Sequence, residues 1–205
     1  MENHRKGGIR KEEGVMKKEW LVVACLFLFL PSVLSAAGEE KKDVKFFAKE
    51  PVLLTSAGQS ADVQMVKVLL ERNKIAVKMN ALADPGDVQG VKTLVVAVGG
   101  SAKGLGAAGV DADKEAARVQ KLLVKAKEMG VPILSLHIGG AAKRGELSDR
   151  FIGLVMPVSA CVIALKEGDK DGFITKTSAK GNAPILFVEK ISQTQELLKT
   201  IFGKN

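Results

Sequence analysis

The chain has 205 residues, of which 46% are apolar, 26% charged and 4% aromatic, and its formal net charge is +8. This length suits one domain, or a small domain with a tail. The apolar fraction excludes a disordered chain, and 21 Gly with only six Pro and no three-residue period exclude collagen-like and low-complexity proteins.

The first part of the chain has the pattern of a secretory signal peptide, which we place at residues 16–37. A basic start at Lys17-Lys18 precedes an apolar run over residues 21–30, and small residues lead to an expected cleavage after Ala37. The apolar run is too short to span a bilayer comfortably. We therefore expect contact with a membrane only through this peptide, before it is cleaved.

The remaining segments follow from that assignment. Residues 1–15 are predicted to be an upstream extension, and residues 38–50 a flexible lead. Residues 51–205 are predicted to form a single α/β domain. The location expected for that domain is the periplasm, or the outside of a bacterial cell.

Cleavage would leave His137 as the only histidine and Cys161 as the only cysteine. An intrachain disulfide and a zinc site of His and Cys ligands are then excluded. Without Tyr, and with Trp only at position 20, the mature chain lacks the aromatic platforms of carbohydrate and single-strand nucleic-acid sites. We expect no nucleic-acid partner, no metal and no cofactor, and Cys161 should be an inert core thiol.

From residue 51 onwards, apolar runs alternate with segments of helical periodicity. Repeated β-α units predict a three-layer α/β fold, a mostly parallel sheet with helices on both faces, of flavodoxin-like or Rossmann-like type. The predicted strands are residues 51–55, 75–79, 93–98, 133–138, 160–165 and 184–188, and the predicted helices are residues 61–73, 111–129, 147–156 and 193–202.

Parallel strands direct attention to one edge of the sheet. In open α/β sheets, ligands bind beyond the carboxyl ends of the strands. Four polar or glycine-rich loops leave those ends, namely residues 56–60, 99–106, 137–149 and 167–172.

The glycine-rich loop is the most informative of the four. Glycines let backbone N–H groups approach a ligand, and a hydroxyl and a lysine add a donor and a charge. The loop lacks a Walker ending and a dinucleotide fingerprint, and the acidic first turn of the next helix would repel an anion. Its alternative role is a flexible turn with a solvated lysine. The candidate ligand-binding residues are Gly99, Gly100, Ser101, Lys103, Gly104 and Gly106.

The loop after the 133–138 strand begins with the lone histidine. His137 could contact a ligand, make a structural hydrogen bond or act as a general base. Gly139 and Arg144 are further candidates for ligand binding, and Lys143 and Arg144 would add positive charge close to His137. Ser148 is predicted to be the N-cap of the next helix.

The other two loops carry weaker signals. Gln59 and Ser60 are candidate ligand contacts, although Ser60 is most simply an N-cap, and as a nucleophile it would need His137 within reach. The stretch 169–172 resembles the middle of a calcium loop. However, Glu167 and Ser178 occupy the positions of essential ligands, so we predict a turn there and no metal.

Three blocks of sequence resemble those of a bacterial family of exported proteins known only as a domain of unknown function. The blocks are residues 100–109, residues 137–140 with 144–149, and Asp171-Gly172. The resemblance extends from about residue 51 to the C-terminus. It implies export and an α/β domain, and it carries no established activity.

The leading hypothesis is therefore an extracytoplasmic binding protein for a small anionic or polar ligand at the carboxyl edge of the sheet. A second hypothesis is an exported hydrolase or transferase that uses His137 as its base. A third is a structural or interaction module.

Overall fold

The computed structural model of the protein describes residues 48–204. The predicted upstream extension, the signal peptide and most of the flexible lead lie outside these residues. Within them, no helix combines the length and the apolar character that crossing a membrane would require.

Six strands and six α-helices make up the described part of the chain. The strands are β1 (Val52–Ala57), β2 (Val77–Met79), β3 (Thr93–Val98), β4 (Ile133–His137), β5 (Cys161–Leu165) and β6 (Ile185–Val188). The helices are α1 (Asp62–Arg72), α2 (Ala102–Ala107), α3 (Ala112–Glu128), α4 (Glu146–Val155), α5 (Phe173–Ala179) and α6 (Ile191–Ile201).

All six strands are parallel and form one sheet in the order β2-β1-β3-β4-β5-β6. The predicted three-layer α/β architecture is confirmed. Of the two types considered, the order is that of the flavodoxin-like fold, with β6 added at one edge. The chain reverses its direction of travel across the sheet between β1 and β3, so the switch point of this topology lies there.

The strands β1, β3, β4 and β5 contribute alternate side chains to two separate cores because successive residues point to opposite faces of a sheet. In β3, for example, Leu94 and Val96 pack with α3, α4 and α5, whereas Val95 and Ala97 pack with α1 and α6. The central strands are buried on both faces and therefore read as continuous apolar runs.

The glycine-rich stretch contains a helix that the sequence did not predict. Gly104 and Gly106 lower the intrinsic helix propensity of this segment. The helix α2 nevertheless forms, because the Ser101 hydroxyl accepts the N–H of Gly104 (3.0 Å) and because Leu105 is buried. Tertiary contacts thus outweigh propensity at this place.

Two further helix starts differ from the prediction. The turn at residues 169–172 leads into α5, since the Asp169 carboxylate accepts the N–H groups of Ile174 (2.7 Å) and Thr175 (3.2 Å). The helix α4 is capped by Gly145 and not by Ser148.

Candidate functional site

The loops after β1 and β3 are bound to each other at the switch point. Gln59 and Gly100 form an antiparallel bridge, and the N–H of Ser101 donates to the carbonyl of Gly58 (2.8 Å). A methyl group on Gly104 would overlap the carbonyl oxygen of Gln59, so this glycine is required for the close approach. Backbone contacts therefore join the loops after β1 and β3 directly, with no space between them at this point.

The predicted donors of the glycine-rich loop are used inside the protein. The N–H of Gly99 donates to Ala57 O (3.0 Å), and that of Gly100 donates to the Ser148 hydroxyl (2.9 Å). As described above, those of Ser101 and Gly104 also have protein acceptors. These four groups are consequently not free for an anion, while Lys103 and Gly106 lie exposed on α2.

A buried ion pair holds the loop after β1. The Glu115 carboxylate is 0% exposed and accepts from Gly58 N–H (3.0 Å), from Gln59 Nε2 (2.9 Å) and from Arg118 Nε (2.8 Å). The side-chain amide of Gln59 also donates to Ala81 O (3.0 Å). Gln59, which was predicted to bind a ligand, therefore has a structural role in holding this loop.

Arg118 completes this network from the outer side. Its guanidinium donates to Ser56 O and to Ala83 O, both at 2.6 Å. Burial alone would raise the pKa of Glu115, but the hydrogen bonds and charge of Arg118 outweigh it, and the pKa lies below its ordinary 4.5. The sequence carries a signal for this pair, because Glu115 falls on the apolar face of α3, four residues before Val119.

Arg144 fastens the loop after β4 to the loop after β5. Its guanidinium donates to Asp149 (2.6 and 3.1 Å), to Asp171 (3.0 Å twice) and to Gly168 O, and it lies 5.0 Å from the ring centre of Phe173. Hydrogen bonds to these two aspartates raise its pKa. With all these partners, Arg144 is not available to an anionic ligand.

The Arg144–Asp171 bond predicts a pH dependence. Hydrogen bonds from Arg144 lower the pKa of Asp171 from 3.8 to about 2, so this contribution to stability is complete above pH 3.8 and is lost as the pH falls toward 2. We expect Asp171→Asn to unfold at a lower temperature than the wild type at pH 7, with the difference disappearing toward pH 2. Thermal unfolding followed by circular dichroism across this range checks it, and a difference independent of pH would contradict it.

His137 is sealed inside the fold. Its Nδ1 lies 2.9 Å from Val98 O, and because a carbonyl only accepts, Nδ1 carries the hydrogen of this bond. The ring is 0% exposed, and a methyl group on Gly168 would lie 3.4 Å from its Cδ2 and 3.3 Å from Gly140 Cα. Of the three roles predicted for His137, the structure shows the structural hydrogen bond. Nε2 has no partner among residues 48–204.

The cationic candidates therefore do not converge with the histidine. Lys103 is exposed, Arg144 is bonded to carboxylates, and His137 is fully buried. No hydrogen bond or ion pair joins any two of these three side chains within the described part of the chain.

The structure draws attention instead to Asp62, the first residue of α1. Its Oδ2 is shielded from solvent and has no hydrogen-bond partner in the described segment. A methyl group on Gly99 would lie 3.8 Å from this oxygen, and one on Gly139 only 2.9 Å from it. The N–H of Asp62 donates to the hydroxyl of Ser60 (3.3 Å), so this serine lies beside the carboxylate. The N-cap of α1 is Ala61 and not Ser60 as predicted.

We call this cluster the Asp62 site, and it spans the carboxyl ends of β1, β3 and β4, three adjacent strands at the switch point. Hydroxyl and carboxylate oxygens equip it to accept hydrogen bonds from a ligand. Residues 48–204 hold no group of three His, Cys, Asp or Glu side chains placed to bind a metal ion. The place a methyl group on Gly139 would take lies 2.5 Å from Lys143 Cβ. The members of the site are Ser60, Asp62, Gly99, Gly139 and Lys143.

Sequence reasoning missed Asp62 as a member, and it considered Lys143 only as a positive charge near His137. In the sequence, Asp62 is a polar position of the predicted helix 61–73 and belongs to no recognisable motif. Its position directly after the loop that leaves β1 was the signal that could have marked it, because the carboxyl edge is where parallel sheets bind ligands.

Two surface depressions lie away from this site. One, of about 450 Å³, runs along the outer face of α3 beside Pro85 and Val124. The other, of about 460 Å³, lies at the amino ends of β4 and β5, beside Pro132 and Val158. Neither includes a predicted site residue.

Comparison with known proteins gives a family and no activity. A family model described as "Domain of unknown function (DUF6305)" matches residues 49–202. No curated protein sequence matches the chain.

Solved structures are similar only at a distance. One is the esterase AlinE4 of the SGNH-hydrolase family, with 12% identity over 72% of this chain and 79% of that one and a TM-score of 0.29. Another is the YdjI aldolase from Escherichia coli K12, with 9% identity over 77% and 92% and a TM-score of 0.19. Superpositions this loose carry no argument about function.

Proposed function

The chain belongs to this family of unknown function, and since membership assigns no activity, we propose from the geometry of the Asp62 site that the protein binds a small polar ligand. The ligand would lie at the carboxyl edge of the sheet, across the ends of β1, β3 and β4. It would donate a hydrogen bond to Asp62 and contact Ser60 and the backbone of Gly99 and Gly139.

One observation carries the proposal, namely the unpartnered and shielded Oδ2 of Asp62. Leaving a buried acceptor without a donor costs about 1–3 kcal/mol, and more when the acceptor is charged. A ligand that donates to this oxygen removes that cost. The position of the oxygen, at the switch point of a parallel sheet, is where such folds bind their ligands.

Two ligand classes followed from the sequence, anionic and polar, and the contacts favour the polar one. The N–H groups expected to hold an anion already have acceptors inside the protein, and Arg144 is bonded to Asp149 and Asp171. An anion at the Asp62 site would also meet a carboxylate. A donor-bearing ligand meets neither obstacle.

Export to an extracytoplasmic location is part of the same proposal. Its support is the pattern of residues 16–37, which precedes the described domain. A small binding domain outside the cytoplasm needs no disulfide when its hydrophobic core is large enough. This domain has two such cores, one on each face of the sheet.

The hydrolase or transferase hypothesis has less support. A general base must reach a proton on its substrate. The His137 residue is 0% exposed, whereas Asp62 is half-buried. The hypothesis of a structural or interaction module is also less favoured, because such a module gives no reason for the shielded carboxylate oxygen.

Thermal-shift measurements on the purified protein test the proposal. The panel consists of neutral, cationic and anionic compounds: glycerol, glucose, ethanolamine, putrescine, acetate and phosphate. We expect at least one neutral or cationic compound to stabilise the wild type, and Asp62→Asn to weaken its binding about 10- to 100-fold, as the loss of one charge-assisted hydrogen bond predicts.

Glu146→Gln is the matched control, since Glu146 is an acid at the first position of α4 as Asp62 is at the first position of α1. This variant should bind like the wild type. The proposal is wrong if no compound stabilises the protein, or if the stabilisation survives unchanged in Asp62→Asn.

A further inference from the structure

We infer that the group accepted by the Asp62 site is a cation of the ammonium type, and that Lys143 limits its affinity as a tethered competitor. The inference rests on the proposed function and adds the charge of the ligand. It also assigns a role in specificity to Lys143, a residue outside the sequence-derived ligand set.

The first step concerns the charge of Asp62. Its carboxylate has no ion-pair partner among residues 48–204, although the chain has a net charge of +8. The arginine nearest in sequence to Gly139 is Arg144, which Asp149 and Asp171 already neutralise. A partly shielded carboxylate without a counter-ion favours a ligand that brings the positive charge.

The second step concerns the walls around that oxygen. Gly99 and Gly139 have no side chains, and a methyl group on either would approach Asp62 Oδ2. The Ser60 oxygen lies beside them and can accept as well as donate. An ammonium group has up to three donors and no acceptor, which suits a site built from oxygens.

The third step concerns Lys143. The place where a methyl group on Gly139 would lie is 2.5 Å from Lys143 Cβ and 2.9 Å from Asp62 Oδ2. The lysine stem therefore starts beside the carboxylate. Its backbone is fixed there, since its N–H donates to Gly140 O (3.2 Å) and the next residue is the fastened Arg144.

The ammonium of Lys143 remains outside that contact. The side chain is exposed and forms no ion pair in the described part of the chain. From a stem so placed, the ammonium can turn toward Asp62 or toward solvent. In the first position it competes with a cationic ligand for the carboxylate, and in the second it still repels the ligand at short range.

Three probes of equal carbon number test the charge: n-butylammonium, 1-butanol and butyrate, at equal concentration and matched ionic strength. Only n-butylammonium should raise the melting temperature of the purified wild type. Asp62→Asn should abolish this shift. Lys143→Met, which keeps the stem and removes the charge, should strengthen binding on the order of tenfold.

Lys103→Met is the matched control, because Lys103 is another exposed lysine that follows a strand of the same edge. It should bind n-butylammonium like the wild type. An affinity of Lys143→Met equal to or below that of the wild type overturns the competitor role. An equal response to 1-butanol or butyrate overturns the cation assignment.

The two proposals fail in different ways. If neutral compounds stabilise the wild type and not Asp62→Asn, the cation inference is wrong and the binding function stands. If nothing stabilises the wild type, both are wrong. Denaturation of each variant in urea, without any probe, shows whether a lost shift reflects binding or folding.

Discussion

Replacing Arg118 by alanine should lower the free energy of unfolding by about 3–5 kcal/mol, the cost of removing one partner of a buried ion pair. Glu115 is 0% exposed, and without Arg118 its carboxylate would stay buried with only Gly58 N–H and Gln59 Nε2 as donors. Two carbonyl oxygens, of Ser56 and Ala83, would lose their donor as well. Equilibrium unfolding in urea measures the loss.

An exposed ion pair supplies the control for this prediction. Arg150 donates to Asp113 at 2.6 Å, but both side chains face solvent. Arg150→Ala should therefore cost no more than about 1 kcal/mol. If Arg118→Ala and Arg150→Ala destabilise the protein equally, the buried network does not hold the loop after β1 as described.

Replacing Gly104 by alanine should destabilise the protein by about 3 kcal/mol, at the upper end of the range for overpacking. The added methyl group would overlap the Gln59 carbonyl oxygen and would lie 3.2 Å from Gln59 Cβ. The obstacle is backbone, so it cannot move away without breaking the bridge between Gln59 and Gly100. The loops after β1 and β3 should separate, and the Asp62 site beside them should lose its ligand.

Gly106→Ala tests the same substitution in the same helix without the obstacle. Nothing lies within 4 Å of the place its methyl group would take. Alanine there should leave stability unchanged or raise it by up to about 1 kcal/mol, since it favours helix over glycine. Urea unfolding of both variants gives the comparison, and a similar loss in the two would show that helix propensity and not close approach governs Gly104.

The regular elements could be predicted because their signals are local. The β3 strand lies at the predicted residues 93–98, and α3 occupies nearly the whole predicted span. Both have long apolar patterns, and the N-cap of α3 is Asp111, whose side chain accepts the N–H of Lys114 (2.7 Å).

The two missed helices depend on contacts that local patterns do not contain. In α2, the packing of Leu105 and the approach of Gly104 to Gln59 override a segment rich in glycine. In α5, β-branched residues such as Ile174 favour strand over helix, but the Asp169 carboxylate accepts the N–H groups of Ile174 and Thr175 and starts a helix.

The sequence places the candidate site at the carboxyl edge of the sheet, but it does not identify all of the residues that form it. Parallel topology places the loops after β1, β3 and β4 together, and the structure shows Ser60, Gly99 and Gly139 around one carboxylate. Contacts with residues distant in the chain decide which lysine and arginine side chains are free to bind a ligand. Arg144 reaches Asp171, 27 residues away in the chain, and sequence spacing gives no sign of that bond.

Amide chemical shifts of the ¹⁵N-labelled protein test the central claim most directly, in a titration with the panel compound that gives the largest thermal stabilisation. Binding at the Asp62 site predicts that the largest changes fall on Asp62, Gly99 and Gly139, and that Asp62→Asn abolishes them. Changes confined to the outer face of α3 or to the amino ends of β4 and β5 would contradict the account.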